Sequence, residues 1–207
     1  QMNGIQSRLP ALMINIHRVT NKEDAEAYIS RLKAVGPQMD VLIGQARERA
    51  DNGVIVPDWV FPYVINDSKN VISGAPFGDG EDSPIFADLK KKVGALDISD
   101  SERSGLIAKG AAALTGSFGP AYERLIAEMG RQQETAVDGD GVWRFKDGAA
   151  YYAERLKNYT TTDLTADEIH QIGLDEVKRI HDEMRLIMTK VGFKGNLNEF
   201  FEFMRHD

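Results

Sequence analysis

Leu164-Thr165-Ala166-Asp167-Glu168-Ile169-His170-Gln171-Ile172, running on to Val191-Gly192, is the stretch whose reading decides the fold. Thr165 and Glu168 have the spacing of a capping box: the hydroxyl accepts from the backbone N–H three residues on, and the carboxylate reaches back. Leu164 and Ile169 occupy the two positions of a hydrophobic staple. Ile169, Ile172, Val177, Ile180, Met184, Ile187, Met188 and Val191 then recur at three-to-four spacing, with Gln171, Asp175, Lys178, Asp182 and Arg185 on the opposite face. Gly192 supplies the terminating residue. The pattern predicts one amphipathic helix over 166–191, about 39 Å long at 1.5 Å per residue. A helix of that length needs partners along its whole apolar stripe. Too few residues follow it to provide them, so the chain is expected to be part of a longer protein.

Outward from this helix the signals stay helical. A last helix is expected from Asn196, burying Phe200, Phe203 and Met204. On the N-terminal side, Val142-Trp143-Arg144-Phe145 alternates as a short strand or extended arm, and Asp147 or Gly148 opens a helix through Tyr159. Asp138-Gly139-Asp140-Gly141 is the candidate boundary between an N-terminal helical region, 1–137, and an aromatic-rich segment with the long helix, 138–207. Further upstream, Ser99 and Glu102 form another capping box, and 116–120 interrupts the helix that follows. Ser83-Pro84 places an N-cap before a proline at the first helical position, and 74–80 is a loop by composition. Thr20 to Glu23 has capping-box spacing. The helix it opens is expected to break at Gly36-Pro37, because proline lacks the N–H and disfavours αR in the residue before it. A second helix then runs over 38–51 and closes at Asn52-Gly53. Val54 to Pro57 reads as extended, and 59–72 stays open because Pro62 sits inside it. The fold class is mostly α: a multi-helix array with at most a short strand or hairpin near Trp143.

The composition limits function. With 207 residues and 42% hydrophobic content a sizeable core can form. A net charge of −7 argues against nucleic-acid partners, which need clustered Lys and Arg. The one dense basic run, Lys90-Lys91-Lys92, reads as a solvated helix face. Absent cysteine excludes thiolate catalysis, disulfides and Cys-ligated zinc, without fixing the compartment. No apolar run approaches the length of a membrane span. The first residues show no signal peptide and no initiator Met, and both ends read as cut.

No constellation completes a catalytic site. Of His17, His170, His181 and His206, His170 and His181 share the long helix, eleven residues and about 16 Å of rise apart, too far for one zinc. They flank the apolar stripe and read as partly buried structural histidines. Ile180-His181-Asp182-Glu183-Met184 fails the H-E-x-x-H pattern, since Asp follows the His and no second His lies a turn on. Glu176 and Glu183, two turns apart on the other flank, read as a solvated or salt-bridged edge rather than an acid/base pair. Gly116-Ser117-Phe118-Gly119 lacks the spacing of a nucleophile elbow, and Gly74 to Gly80 lacks the Gly-Lys-Ser/Thr of a phosphate loop; both read as loops. Trp143, Phe145, Tyr151 and Tyr152 form an aromatic cluster, read as junction packing in preference to a ligand groove. No residue is assigned a catalytic, cofactor-binding or metal-binding role.

One set of motifs carries a resemblance. It comprises Gly141-Val142-Trp143-Arg144-Phe145-Lys146-Asp147-Gly148-Ala149-Ala150-Tyr151-Tyr152, then Tyr159 to Thr165, Asp167-Glu168-Ile169-His170, Gly173-Leu174 and Glu176-Val177. Earlier come Asp24 to Ile29 with Arg31-Leu32, and Gly53-Val54 leading to Pro57. The chain resembles DUF885, a bacterial family of uncharacterised proteins, many of them described as lipoproteins. Val56 departs from it, standing where many relatives have a second proline. The resemblance implies similarity to helical zinc metallopeptidases with an H-E-x-x-P-G-H-type motif well C-terminal to the matched region. It thus implies a helical scaffold without its metal site, with zinc and a peptide substrate belonging to the full-length parent. The remainder of the parent chain would be its partner, and the location periplasmic or envelope-anchored. The alternative is a non-catalytic helical binding or scaffold module of the envelope.

Overall fold

The helix expected to break at Gly36-Pro37 does not break. In the computed structural model, which describes residues 4–206, helix α2 runs unbroken from Lys22 to Asp51. Its N-cap is Asn21 rather than Thr20. The Asn21 side chain accepts the Asp24 N–H at 2.8 Å, and the Asp24 carboxylate takes the N–H and hydroxyl of Thr20 at 2.9 and 2.6 Å. Pro37 has no N–H for the carbonyl four residues back, that of Lys33. The Ser117 hydroxyl donates to that carbonyl at 2.7 Å, so the orphaned acceptor is satisfied from a neighbouring element. Gly36 makes the approach possible, since a Cβ there would lie 2.8 Å from Ser117 Oγ.

The same solution recurs in α1 (Ile5–Asn15), which contains Pro10. The carbonyl left without a partner is Gln6's, and the buried Tyr122 hydroxyl donates to it at 2.8 Å. Ser117 and Tyr122 lie five residues apart on one helical segment. The expected interruption at 116–120 is a π-helical turn rather than a loop: α5 (Asp100–Ala113) leads into Leu114–Phe118 and then α6 (Gly119–Gln133). Pro120 lacks the N–H that would serve Gly116 in the α register. The chain widens by one residue there, and the Gly119 N–H bonds to the Leu114 carbonyl.

Around these elements α3 (Val60–Val71) and α4 (Pro84–Gly94) complete the first of two compact units, 1–140. Pro62 sits in the first turn of α3, where a missing N–H costs little. Ser83 precedes Pro84 as expected, though its side chain makes no capping bond, whereas the Ser99–Glu102 capping box is complete. α2 packs along α5, the π turn and α6; α3 packs on α6 and α1, and α4 on α5 and α1. Their shared core includes Tyr28, Leu32, Met39, Leu89, Leu114 and Phe118. Phe118 stacks on Tyr122 with ring centroids 4.8 Å apart.

The second unit spans 141–207. Val142–Arg144 forms a 3-10 turn, not a strand or extended arm. Among the described residues the single β contact is an isolated bridge between Ala75 and Asp82. The fold is therefore mostly α, with no strand at Trp143. α7 (Gly148–Thr160) ends at Thr161, whose φ of 56° is left-handed. α8 (Ala166–Lys190) starts at the complete Thr165–Glu168 box, and Gly192 follows it at φ 72°. α9 (Leu197–His206) has a reciprocal Asn196–Glu199 cap. Phe200 is buried, but Phe203 and Met204 are not, contrary to expectation. Phe200 turns onto Phe193 at 5.1 Å, while the outer side of α9 meets solvent.

Three substitutions test these ties. Tyr122→Phe leaves the Gln6 carbonyl buried and unpaired and should cost about 1–3 kcal/mol in chemical denaturation. Ser117→Ala should cost nearer about 1 kcal/mol, because water reaches exposed Lys33. That smaller cost should shrink in a Pro37→Ala background, where the intrahelical N–H is restored; an undiminished cost in the double-mutant cycle refutes the link. At α8, Thr165→Ala should cost about 0.5–2 kcal/mol, and wild-type stability would show that the box contributes nothing.

Candidate functional site

Among the described residues of the second unit, a concavity lies at the aromatic cluster. Gly141, Val142, Trp143, Phe145, Lys146, Gly148, Ala149 and Tyr152 line a groove of about 410 Å³, within the size range of small-molecule sites. Two glycines shape it. A Cβ on Gly141 would fall on the Trp143 indole nitrogen, and one on Gly148 would fall on the Val142 carbonyl oxygen. The 3-10 turn therefore folds tightly onto the start of α7, and the indole is held outward. Trp143 is 75% exposed, Tyr151 55% and Tyr152 50%. This corrects the reading of Trp143, Tyr151 and Tyr152 as junction packing, since all three are exposed; Trp143 and Tyr152 border the groove with the half-buried Phe145. Arg144 lies over the Phe145 ring at 4.6 Å.

The titratable groups of α8 are arranged along its axis and do not converge. His170 is exposed and His181 half-buried, so only His181 matches the partial burial expected of both. Arg179 bridges Glu176 at 2.8 Å and Glu183 at 2.7 Å, which makes that edge a salt-bridged one. His206 is exposed beside Glu202. Among the described residues, no three of His, Asp and Glu come together where they could hold a metal ion.

In the first unit the buried polar groups work as structural ties. His17 is buried, with Nδ1 2.6 Å from the Arg31 guanidinium and its ring against Tyr28. Burial, then the adjacent Arg31 charge, push its pKa below the usual histidine range. The Tyr28 hydroxyl donates to Asp88, which also pairs with Lys92 at 2.8 Å. Lys92 corrects the reading of the triple-lysine run. Its ammonium donates to the Met13 and Ile14 carbonyls at the C-terminal end of α1, where a cation complements the helix dipole. Lys90 pairs with Asp82, and Lys91 alone of the three is exposed. Helical spacing gives the Asp88–Lys92 pair, but residues 13 and 28 join it only through packing, which sequence spacing could not find.

Glu128 is the deepest of these charges at 4% exposure. It accepts from Arg131 at 2.6 Å, Arg47 at 2.7 Å and Gln132 at 2.8 Å. The Arg131 bond above all, with those from Arg47 and Gln132, lowers its pKa to about 2 against burial.

Helices tied together in this way, followed by a short turn and an aromatic groove, define a mostly α, multi-helix protein. The chain belongs to the family described as "bacterial protein of unknown function (DUF885)", whose profile matches residues 1–207. It is similar to a solved structure described as the putative lipoprotein from Colwellia psychrerythraea, with 25% identity and a TM-score of 0.86. That match covers 99% of this chain and 35% of the other, so the chain spans about a third of that relative's length. No curated protein matches the chain.

The Glu128 network predicts a pH dependence with a definite sign. Between the ordinary value of 4.5 and about 2, the unfolded chain binds more protons than the folded one. Stability is therefore full above pH 4.5 and falls as pH drops through that window. Glu128→Gln should be less stable than wild type by about 2 kcal/mol at pH 7. The difference should close as the pH approaches 2. Parallel melting profiles of the two proteins across this range would refute the assignment.

Proposed function

We propose that this chain is the helical scaffold portion of a zinc-dependent, peptidase-like parent protein, and that the metal site lies on residues outside 1–207. The observation that carries this reading is the use made of the charged groups. In the first unit, Glu128, Asp88 and Lys92 are each engaged in ties between or along helices. On α8 Glu176, Asp182 and Glu183 pair with bases three or four residues away. These residues do not fit a zinc ion. His170 and His181 are separated by about 16 Å of helix rise, while a catalytic zinc needs about three converging protein ligands. Family membership and the longer chain of the solved relative support a larger parent. The relative's description as a lipoprotein supports an envelope-anchored location. No described helix is long and apolar enough to cross a membrane.

The open aromatic groove at Trp143 favours a second reading, a non-catalytic binding module of the envelope. Metal analysis and a peptide-hydrolysis screen separate the two, run on the 207-residue chain, the full-length parent, and a parent variant lacking its metal-motif histidines. The expected result is zinc and hydrolysis in the parent, both lost in the variant and absent from the 207-residue chain. Stoichiometric zinc with hydrolysis in the short chain would overturn the scaffold assignment. A metal-free, inert parent would remove the peptidase reading and leave the binding module.

A further inference from the structure

Helix α8 is amphipathic, and only its polar half is provided for. On that half Gln171 donates to Asp175 at 2.9 Å, and Lys178 and Arg185 both reach Asp182. This ladder is self-satisfied and suited to water. On the other half Ile172, Val177, Ile180, Ile187 and Val191 remain between 39% and 63% exposed, and Met188 is the one buried residue of the helix. The open stripe extends over 169–191, about 33 Å at 1.5 Å per residue. An apolar face of that extent is unusual on a surface that stays in water.

Gly173 gives an independent indication of what covers it. On a wheel of 100° per residue it falls inside the stripe, between Ile169 and Val177. Glycine is unfavourable in a helix interior, and nothing lies within 4 Å of where a Cβ would stand, so no contact in the described structure requires it. A missing side chain at the centre of an apolar stripe suits the close approach of a second helix packed along the first. Chain to supply one exists in the solved relative, where the match covers 35% of the length and leaves about two thirds outside.

We propose that the apolar face of α8 seats an apolar helix of the same polypeptide, contributed by residues outside 1–207, with its closest approach at Gly173. This rests on the reading of the chain as part of a longer protein and is independent of whether that protein binds zinc or cuts peptides.

The test is thiol accessibility in the full-length parent. Ile180→Cys places a reporter on the stripe and Lys178→Cys one on the polar face, with the unsubstituted parent as background and the oligomeric state followed by light scattering. In monomeric parent, maleimide should modify the Ile180→Cys thiol at least tenfold more slowly than the Lys178→Cys thiol. Equal rates in folded protein would overturn the proposal. Protection confined to a dimer and lost on dilution would also overturn it, assigning the face to a second copy.

Gly173→Ala and Gly173→Leu give a second readout. On an open helix both should raise or preserve Tm, whereas under a closely packed helix Gly173→Leu should lower it by several degrees. Protection in a metal-free, inert parent would uphold this proposal while the peptidase reading falls. Free access in an active zinc enzyme would do the reverse.

Discussion

Two carbonyl groups constrain the arrangement of the first unit. Pro37 and Pro10 sit inside helices, and each removes the N–H that the carbonyl four residues earlier would have used. The acceptors at Lys33 and Gln6 are taken by the hydroxyls of Ser117 and Tyr122. An unpaired acceptor in a helix wall is expensive, more so when buried. In the 30-residue helix α2 the π turn supplies the donor that Pro37 lacks. The π turn in turn places Tyr122 against α1, so α1, α2 and α6 are held to one another through five residues of chain. Gly36 and Gly119 sit where this packing is tightest: a Cβ on Gly119 would lie 3.0 Å from the Phe77 ring.

The two units stand in opposite thermodynamic situations. In the first, apolar side chains from α1, α2, α4, α5 and α6 share one core, and the buried charges meet partners of opposite sign or helix-end carbonyls. In the second, α8 holds together through its own backbone, its capping box and its ion pairs, while most of its apolar stripe meets water. Helices within proteins owe little of their stability to propensity and most of it to a packed apolar face. A 25-residue helix with that face open has its polar surface finished and its stabilising surface unused.

The candidate site was only partly legible beforehand. The aromatic residues near Trp143 were visible as a cluster, but composition favours packing wherever aromatics gather. Their outward projection depends on Gly141 and Gly148 allowing a 3-10 turn to close against its neighbours, a backbone matter that residue type does not disclose. The lysine run looked like a solvated face because charge runs usually are. Lys92 departs from its neighbours because α1 ends beside it, a proximity between residues 79 positions apart. Glu176 and Glu183 were legible as an edge, and Arg179 lies between them at the spacing that helical geometry provides.

What the sequence determined by itself was local. The boxes at Ser99 and Thr165 and the amphipathic stripe of α8 are encoded by residues three or four apart, and hydrogen bonds across one turn realise them without outside help. The family resemblance was legible for the same reason, in short motifs read directly. Tertiary structure decided whether a proline ends a helix. Gly36-Pro37 carries a real breaking signal, and the helix continues through it with the Ser117 hydroxyl serving the Lys33 carbonyl and Gly36 leaving space for it. No window along the chain contains both halves of that exchange. A backbone group's partner can come from any distance in sequence, and only the folded arrangement shows which one it found.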